Sequence, residues 1–277
     1  MRKRARALAF ASVAAVMTAC LFPSLDGISG GNDDAASDVA VDALEAAADA
    51  PTDGGTEASK IFSCADVDAK FCDDFDDDGS TFSRWSSAYI VNGGDAGLAP
   101  SDASPPSAAE FTTSTTAGTG PYALLHREFT GVITTSAHLA FDLRVDKYPS
   151  STSSFFSTGS ITLATANGGG IGFDIAQQGS LFQESVFLAD GGAEYPTLNL
   201  TADPPLGKWV HVDVLLSFGN GLATAQVLFD GKTVLAPTNL DGRIPWGTPE
   251  LTIGETYVDP QNDGVAFLTD NVMFDFQ

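Results

Sequence analysis

Five aspartates fall within the ten residues FCDDFDDDGS (Phe71–Ser80), beside two phenylalanines, a cysteine and a glycine. Asp74, Asp76, Asp78 and Gly79 read as D-x-D-x-D-G, the opening of a loop that offers calcium hard oxygen donors. A complete EF-hand also needs a bidentate glutamate at the twelfth loop position and a helix on either side. Counted from Asp74, that position holds Trp85, and no helical periodicity flanks the run, which argues against an EF-hand. Two readings stay open: a cation site of another geometry, and a solvated acidic turn of the kind Asp and Gly favour.

Elsewhere the residue types that drive catalysis do not gather. A glycosidase needs two carboxylates facing one sugar bond. Glu184 stands alone in SLFQESVFL, and Glu250 and Glu255, five apart, fall on opposite faces of a strand. His126, His138 and His211 are each isolated in strand-like segments, which reads as packed or surface histidines rather than bases. No G-x-S-x-G elbow or H-E-x-x-H helix is present, and NGGGIGF (Asn167–Phe173) opens no phosphate-cradling helix. Of three tryptophans, Trp246 in the loop-like RIPWGTP is the candidate platform for stacking on the apolar face of a sugar.

The elements that must position these residues are strands. WVHVDVLLSF (Trp209–Phe218) alternates Val210, Val212, Val214 and Leu216 with Trp209, His211, Asp213 and Leu215. Gly219-Asn220-Gly221 then turns the chain into LATAQVLF, and Asp230-Gly231 turns it again into KTVLA. Further strands are expected from Tyr122, Ala137, Ser160, Gly170, Ser180, Glu250 and Ala266. Many short strands with Gly, Pro, Asn and Asp turns predict an antiparallel sandwich or barrel.

The N-terminus reads differently. MRKRARALAFASVAAVMTAC has a basic start, an apolar run from Ala7 to Val16 and small residues before Cys20. This is an export signal, residues 1–19, too short to span a membrane stably. Residues 20–59 are rich in Ala, Asp and Gly and hold no basic residue; they predict a disordered, self-repelling tether. Beyond Cys20 the chain carries nine basic residues, and the whole chain holds 36 acidic ones. Such a charge repels nucleic acid and anionic headgroups.

Met17-Thr18-Ala19-Cys20 resembles a bacterial lipobox, with Met17 where Leu is usual. The resemblance implies that Cys20 is acylated and becomes the first residue of a membrane-anchored protein of the bacterial cell envelope. Leu21 rather than Asp after it implies the outer membrane or cell surface. With Cys20 so used, Cys64 and Cys72 remain as a pair in an oxidising compartment, and a disulfide is expected.

Residues 60–277 resemble concanavalin A-like, laminin G-like jelly rolls. The likeness lies in FCDDFDDDGSTFSRW, in LGKWVHVDVLL followed by AQVLFDGKTV, and in TDNVMFDF. It implies an all-β fold of two antiparallel sheets with first and last strands adjacent, and Trp209 in the core. It also implies one structural calcium between those strands, with Asp74, Asp76, Gly79 and Asp270 as ligands. The glycan-cleaving branches of the fold carry E-x-D-x-E or an Arg-rich strand with Q-x-H, and neither occurs here. The expected function is therefore a lipid-anchored, non-catalytic binding or adhesion module for a glycan or surface partner. The alternatives are a divergent glycan hydrolase or lyase and a purely structural lipoprotein. Carboxylates converging in the cleft would favour the enzyme, and exposed aromatics without them would favour binding.

Overall fold

The structure, a computed structural model, describes residues 64, 67–76, 82–103, 105–114, 122–150, 155–164, 169–176, 179–187, 193–219, 222–240, 247–255 and 264–277. Cys20, Gly79 and Trp246 lie outside the described residues, as do the predicted signal and tether.

Among the described residues there are sixteen strands and no α-helix. They are β1 Phe71–Asp73, β2 Ser87–Val91, β3 Gly94–Pro100, β4 Ser107–Thr113, β5 Tyr122–Glu128, β6 Ser136–Lys147, β7 Phe155–Ala164 and β8 Gly170–Ala176. There follow β9 Leu181–Phe187, β10 Ala193–Glu194, β11 Thr197–Asn199, β12 Trp209–Gly219, β13 Leu222–Phe229, β14 Lys232–Asn239, β15 Thr248–Glu255 and β16 Ala266–Phe276. Every strand expected from alternation is present. The strands without such a pattern are β2, β3, β4, β10 and β11. GDAGLAP and SAAEFTT are rich in Gly and Ala, which are depleted in strands, so pairing with neighbours rather than propensity makes β3 and β4.

The strands form two antiparallel sheets. The first runs β14-β13-β12-β6-β16-β4-β3, with β1 also paired to β16. The second runs β10-β9-β8-β7-β15-β5-β2, with β11 also paired to β9. First and last strands are adjacent, as expected: Phe71 faces Phe274 and Asp73 faces Val272. The sheets close on a shared core. Phe111 and Phe267 of the first sheet lie 5.3 Å apart by ring centroid, and Phe267 meets Phe156 of the second at 5.4 Å. All three are fully buried.

In β12, Val210, Val212, Val214 and Leu216 point inward, so Trp209, His211 and Asp213 point out. Trp209 is thus not a core residue, contrary to expectation. Its ring packs under the Arg144 guanidinium at 5.2 Å, and its indole N–H donates to Asp102 Oδ1 at 2.5 Å. The tryptophan that packs inside is Trp85, stacked on Phe75 at 6.4 Å and edge-on to Phe71 at 5.0 Å.

A bulge in β16 decides which residues of that strand reach the core. Its register to β6 shifts between Asp270 and Met273, and Asn271 takes φ 51°. Before the shift Phe267 and Thr269 face inward; after it Val272, Phe274 and Phe276 do. The extra residue changes the parity, and Asp270 is left on the outer face beside Asp142.

Candidate functional site

Cys64 and Cys72 are joined by a disulfide, with Cα atoms 5.5 Å apart, that staples the entering chain to β1. Of the described aspartates in the acidic run, Asp73 is the buried one. Its carboxylate accepts the Trp85 indole N–H at 2.7 Å and the Phe75 backbone N–H at 3.1 Å. Burial raises its pKa, and those two donors oppose the rise. Phe75 is a core residue: β1 ends at Asp73, and a left-handed bend at Phe75 (φ 55°) turns the ring in.

Of the four expected calcium ligands, Asp74, Asp76 and Asp270 lie among the described residues. Asp74 turns away and accepts the Cys64 N–H at 3.3 Å. Asp76 does approach Asp270, and its Oδ1 accepts the Ser107 N–H at 2.9 Å. Asp270 is completely buried, with Oδ2 taking the Ser101 hydroxyl at 2.6 Å and Oδ1 the Asn271 N–H at 2.8 Å. Burial first, then the charges of Asp142 and Asp76, push its carboxyl up to about 7, against those two donors. The Asn271 amide donates to Asp142 Oδ2 at 2.6 Å, which leaves its buried Oδ1 without a hydrogen-bond partner. Among the described residues no three His, Cys, Asp or Glu side chains form a metal-binding group on their own. Asp76, Asp270 and the Asn271 amide carry oxygen donors of the kind calcium takes. Asp142 and Asn271 had no signal in sequence, because only the bulge places them there.

The histidines are not isolated, contrary to expectation. His211 Nδ1 meets Asp142 Oδ1 at 2.6 Å, and His138 Nε2 meets Asp213 Oδ1 at 2.9 Å. Strand register puts His138 beside Leu215 and His211 beside Asp142, so residues 73 positions apart share one outer face. Hydrogen bonds that the His211 imidazole makes to Asp142 first and then Asp213 raise its pKa to about 10. The same contacts, His138 first, hold Asp213 well below the usual carboxylate range. These groups hold one another in a structural hydrogen-bonded cluster.

The outward face of the second sheet is different. There an open cleft of about 420 Å³ is lined by Tyr89, Tyr122, Leu124, His126 and Glu250. Tyr122, Leu124 and His126 alternate along β5, opposite in facing to the fully buried Ala123 and Leu125. His126 Nε2 lies 3.2 Å from Glu250 Oε2, and its Nδ1 is 3.5 Å from the Ser87 hydroxyl. Tyr89 is 49% exposed and stands 6.3 Å from the His126 ring. Glu250 pairs directly across the strands with exposed Glu128. Glu255 faces inward, as its five-residue separation from Glu250 predicted. The arrangement can stack an apolar ring face and hydrogen-bond hydroxyls. None of its residues was anticipated as a site. Tyr122 and His126 share a face legible in YALLHRE, but the register that adds Glu250 and Tyr89 is not local.

The model of the concanavalin A-like lectin/glucanases superfamily matches residues 117–274, more than half of the chain. No curated protein matches by sequence. Among solved structures, the chain is similar to an endo-β-1,4-glucuronan lyase from the fungus Trichoderma reesei. The TM-score is 0.59 and the identity 11%, covering 76% of this chain and 96% of that one. It is also similar to the cellulose-induced protein Cip1, at TM-score 0.51 and 12% identity, covering 75% and 98%. These are likenesses of fold. With two facing antiparallel sheets, adjacent terminal strands and the family match, the chain belongs to the concanavalin A-like lectin/glucanases superfamily.

Proposed function

We propose that this protein is a lipid-anchored, extracytoplasmic glycan-binding module whose ligand lies in the cleft on the outward face of the second sheet. One observation carries the reading: exposed Tyr89 and half-buried Tyr122 line an open cleft with the His126–Glu250 pair. Aromatic rings take up the apolar face of a sugar, and a carboxylate and imidazole hydrogen-bond its hydroxyls. Affinity electrophoresis through gels containing soluble polysaccharides tests it. Retardation by at least one polysaccharide, lost in Tyr89→Ala, is expected; no retardation by any sinks the reading.

A second reading, a divergent glycan hydrolase, draws on Glu128 and Glu250, which face each other across β5 and β15. Directly opposed side chains on one sheet face stand about 5 Å apart at Cβ, a spacing that suits a carboxylate pair working on one bond. Release of reducing ends from a retained polysaccharide, abolished by Glu250→Gln, would favour the enzyme over the binding module.

The anchor would be Cys20, with the first nineteen residues removed and the domain held at the outer membrane or cell surface. Cys20→Ser should release the protein from membranes; unchanged membrane association and mobility would refute acylation. Calcium held by Asp76, Asp270 and the Asn271 amide oxygen would tie the segment after β1 to the bulge of β16. Calorimetry should then show calcium binding that Asp270→Asn abolishes, and no heat with the unaltered protein would leave the acidic run a turn.

A further inference from the structure

We infer that the glycan taken by this face is an extended, uncharged polysaccharide lying across the strands, and that uronate-containing polymers are excluded. This rests on the glycan-binding reading and goes further, to the class of ligand.

Strand register builds one continuous row across six strands of the second sheet. Ser87 faces His126, His126 faces Thr252, Thr252 faces Ser160, Ser160 faces Gly172 and Gly172 faces Gln183. Directly paired residues share a face, and the buried neighbours Leu125, Ile161, Ile253 and Phe182 fix that face as the outer one. Five spacings between strands make the row about 24 Å long. Its side chains are hydroxyls, an imidazole and an amide, groups that both donate to and accept from sugar hydroxyls. One place from its far end Gly172 offers no side chain at all. A Cβ there would meet only Gly159 O at 3.7 Å and Ser160 Cβ at 3.8 Å, so the strand does not require glycine on steric grounds. The missing side chain instead leaves the row low where a chain would cross it. Tyr89 stands at one end, one residue pair beyond Ser87, as a stacking surface.

Charge sets the class. Glu128 and Glu250 face one another alongside the row, and both are carboxylates on its outer face. A uronate lying here would add its own carboxylate to theirs. Binding or cleaving such a polymer calls for a cation against the acid group, and the strands of this sheet carry no outward-facing lysine or arginine. Arg127 is the only lysine or arginine in its eight strands. It points inward, its guanidinium 5.5 Å from the Phe71 ring centroid and donating to Arg84 O at 2.6 Å.

The test is affinity electrophoresis of the full mature chain at low salt. One gel series contains hydroxyethylcellulose, xyloglucan or mixed-linkage β-glucan, and the other polyglucuronate or alginate. At least one neutral polymer should bind at least tenfold more strongly than either uronan, and added salt should narrow the gap by screening the carboxylates. Glu128→Gln combined with Glu250→Gln should raise uronan retardation relative to neutral. Gly172→Leu should weaken neutral binding at least tenfold without moving the melting temperature. Equal or stronger retardation by a uronan would overturn the charge argument while leaving glycan binding standing. A preference for chitosan oligomers would overturn it in favour of a cationic glycan. Unchanged binding in Gly172→Leu would overturn the row, and binding to no polymer would remove both this inference and the reading beneath it.

Discussion

Glu255 ends β15 on its inward side, fully buried, opposite Ala123 and with neither carboxylate oxygen in a hydrogen bond. Thr113 of the facing sheet is the polar group beside it and offsets the burial only in part. Burial pushes the carboxyl from its ordinary 4.5 up to about 8. A raised carboxyl favours the protonated fold, so its contribution is whole below pH 4.5 and is lost as pH climbs towards 8. At about 1.4 kcal/mol per pH unit between those values, ionisation costs the fold up to about 5 kcal/mol, and about 3 kcal/mol at pH 7. Glu255→Gln keeps the shape and removes the titration. Urea unfolding of both proteins at pH 5 and pH 8.5 measures the difference, which cancels every other titrating group. The variant should gain about 4 kcal/mol on the unaltered protein between the two pH values. Parallel stability profiles would show that Glu255 reaches water or a counter-charge in the folded state, and would refute the reasoning.

Three further outcomes are expected. His211, raised to about 10 first by Asp142 and then by Asp213, stabilises the fold below its ordinary 6.5, and that contribution fades as pH rises through about 10. His211→Gln should therefore destabilise at pH 7 and cost little at pH 11, and a ring seen by NMR to titrate near 6.5 would contradict the cluster. Reduction of the Cys64–Cys72 bridge, which closes a short loop, should cost about 2–3 kcal/mol. Two free thiols in the unreduced, denatured protein would show that it does not form. Gly254 sits at φ +107°, and a Cβ there would lie 2.6 Å from both Ala123 O and the Phe111 ring. Gly254→Ala should cost about 2–3 kcal/mol or more, and an unchanged urea midpoint would mean that β15 and β5 can part there freely.

Much of the fold was legible in sequence, and the reasons are local. Val210, Val212, Val214 and Leu216 alternate with polar neighbours, and Asp230-Gly231 makes a turn with both residues at positive φ. Such patterns need no knowledge of the rest of the chain. β3 and β4 were illegible because Gly and Ala carry no strand signal and depend on their partners. Trp209 was misplaced by the family resemblance, not by alternation. Alternation correctly set it opposite Val210, but which face meets the other sheet is a property of the sandwich.

The sequence by itself determined that this chain is acidic and all-β, a sandwich or barrel, while the pairing of its end strands came from the likeness to concanavalin A-like jelly rolls. It also pointed to the union of Cys64 and Cys72. Side-chain alternation, turn chemistry and cysteine spacing act within a few residues and are readable there. Only the tertiary structure decided which polar residues stand together. The bulge at Asn271 moved Asp270 onto the outer face beside Asp142, register brought His138 and His211 to Asp213, and Glu250 came to His126 across 124 residues. A one-residue change of register sends every side chain of a strand to the opposite face. A sheet site is therefore written in the pairing of distant strands, and no single stretch of sequence contains it.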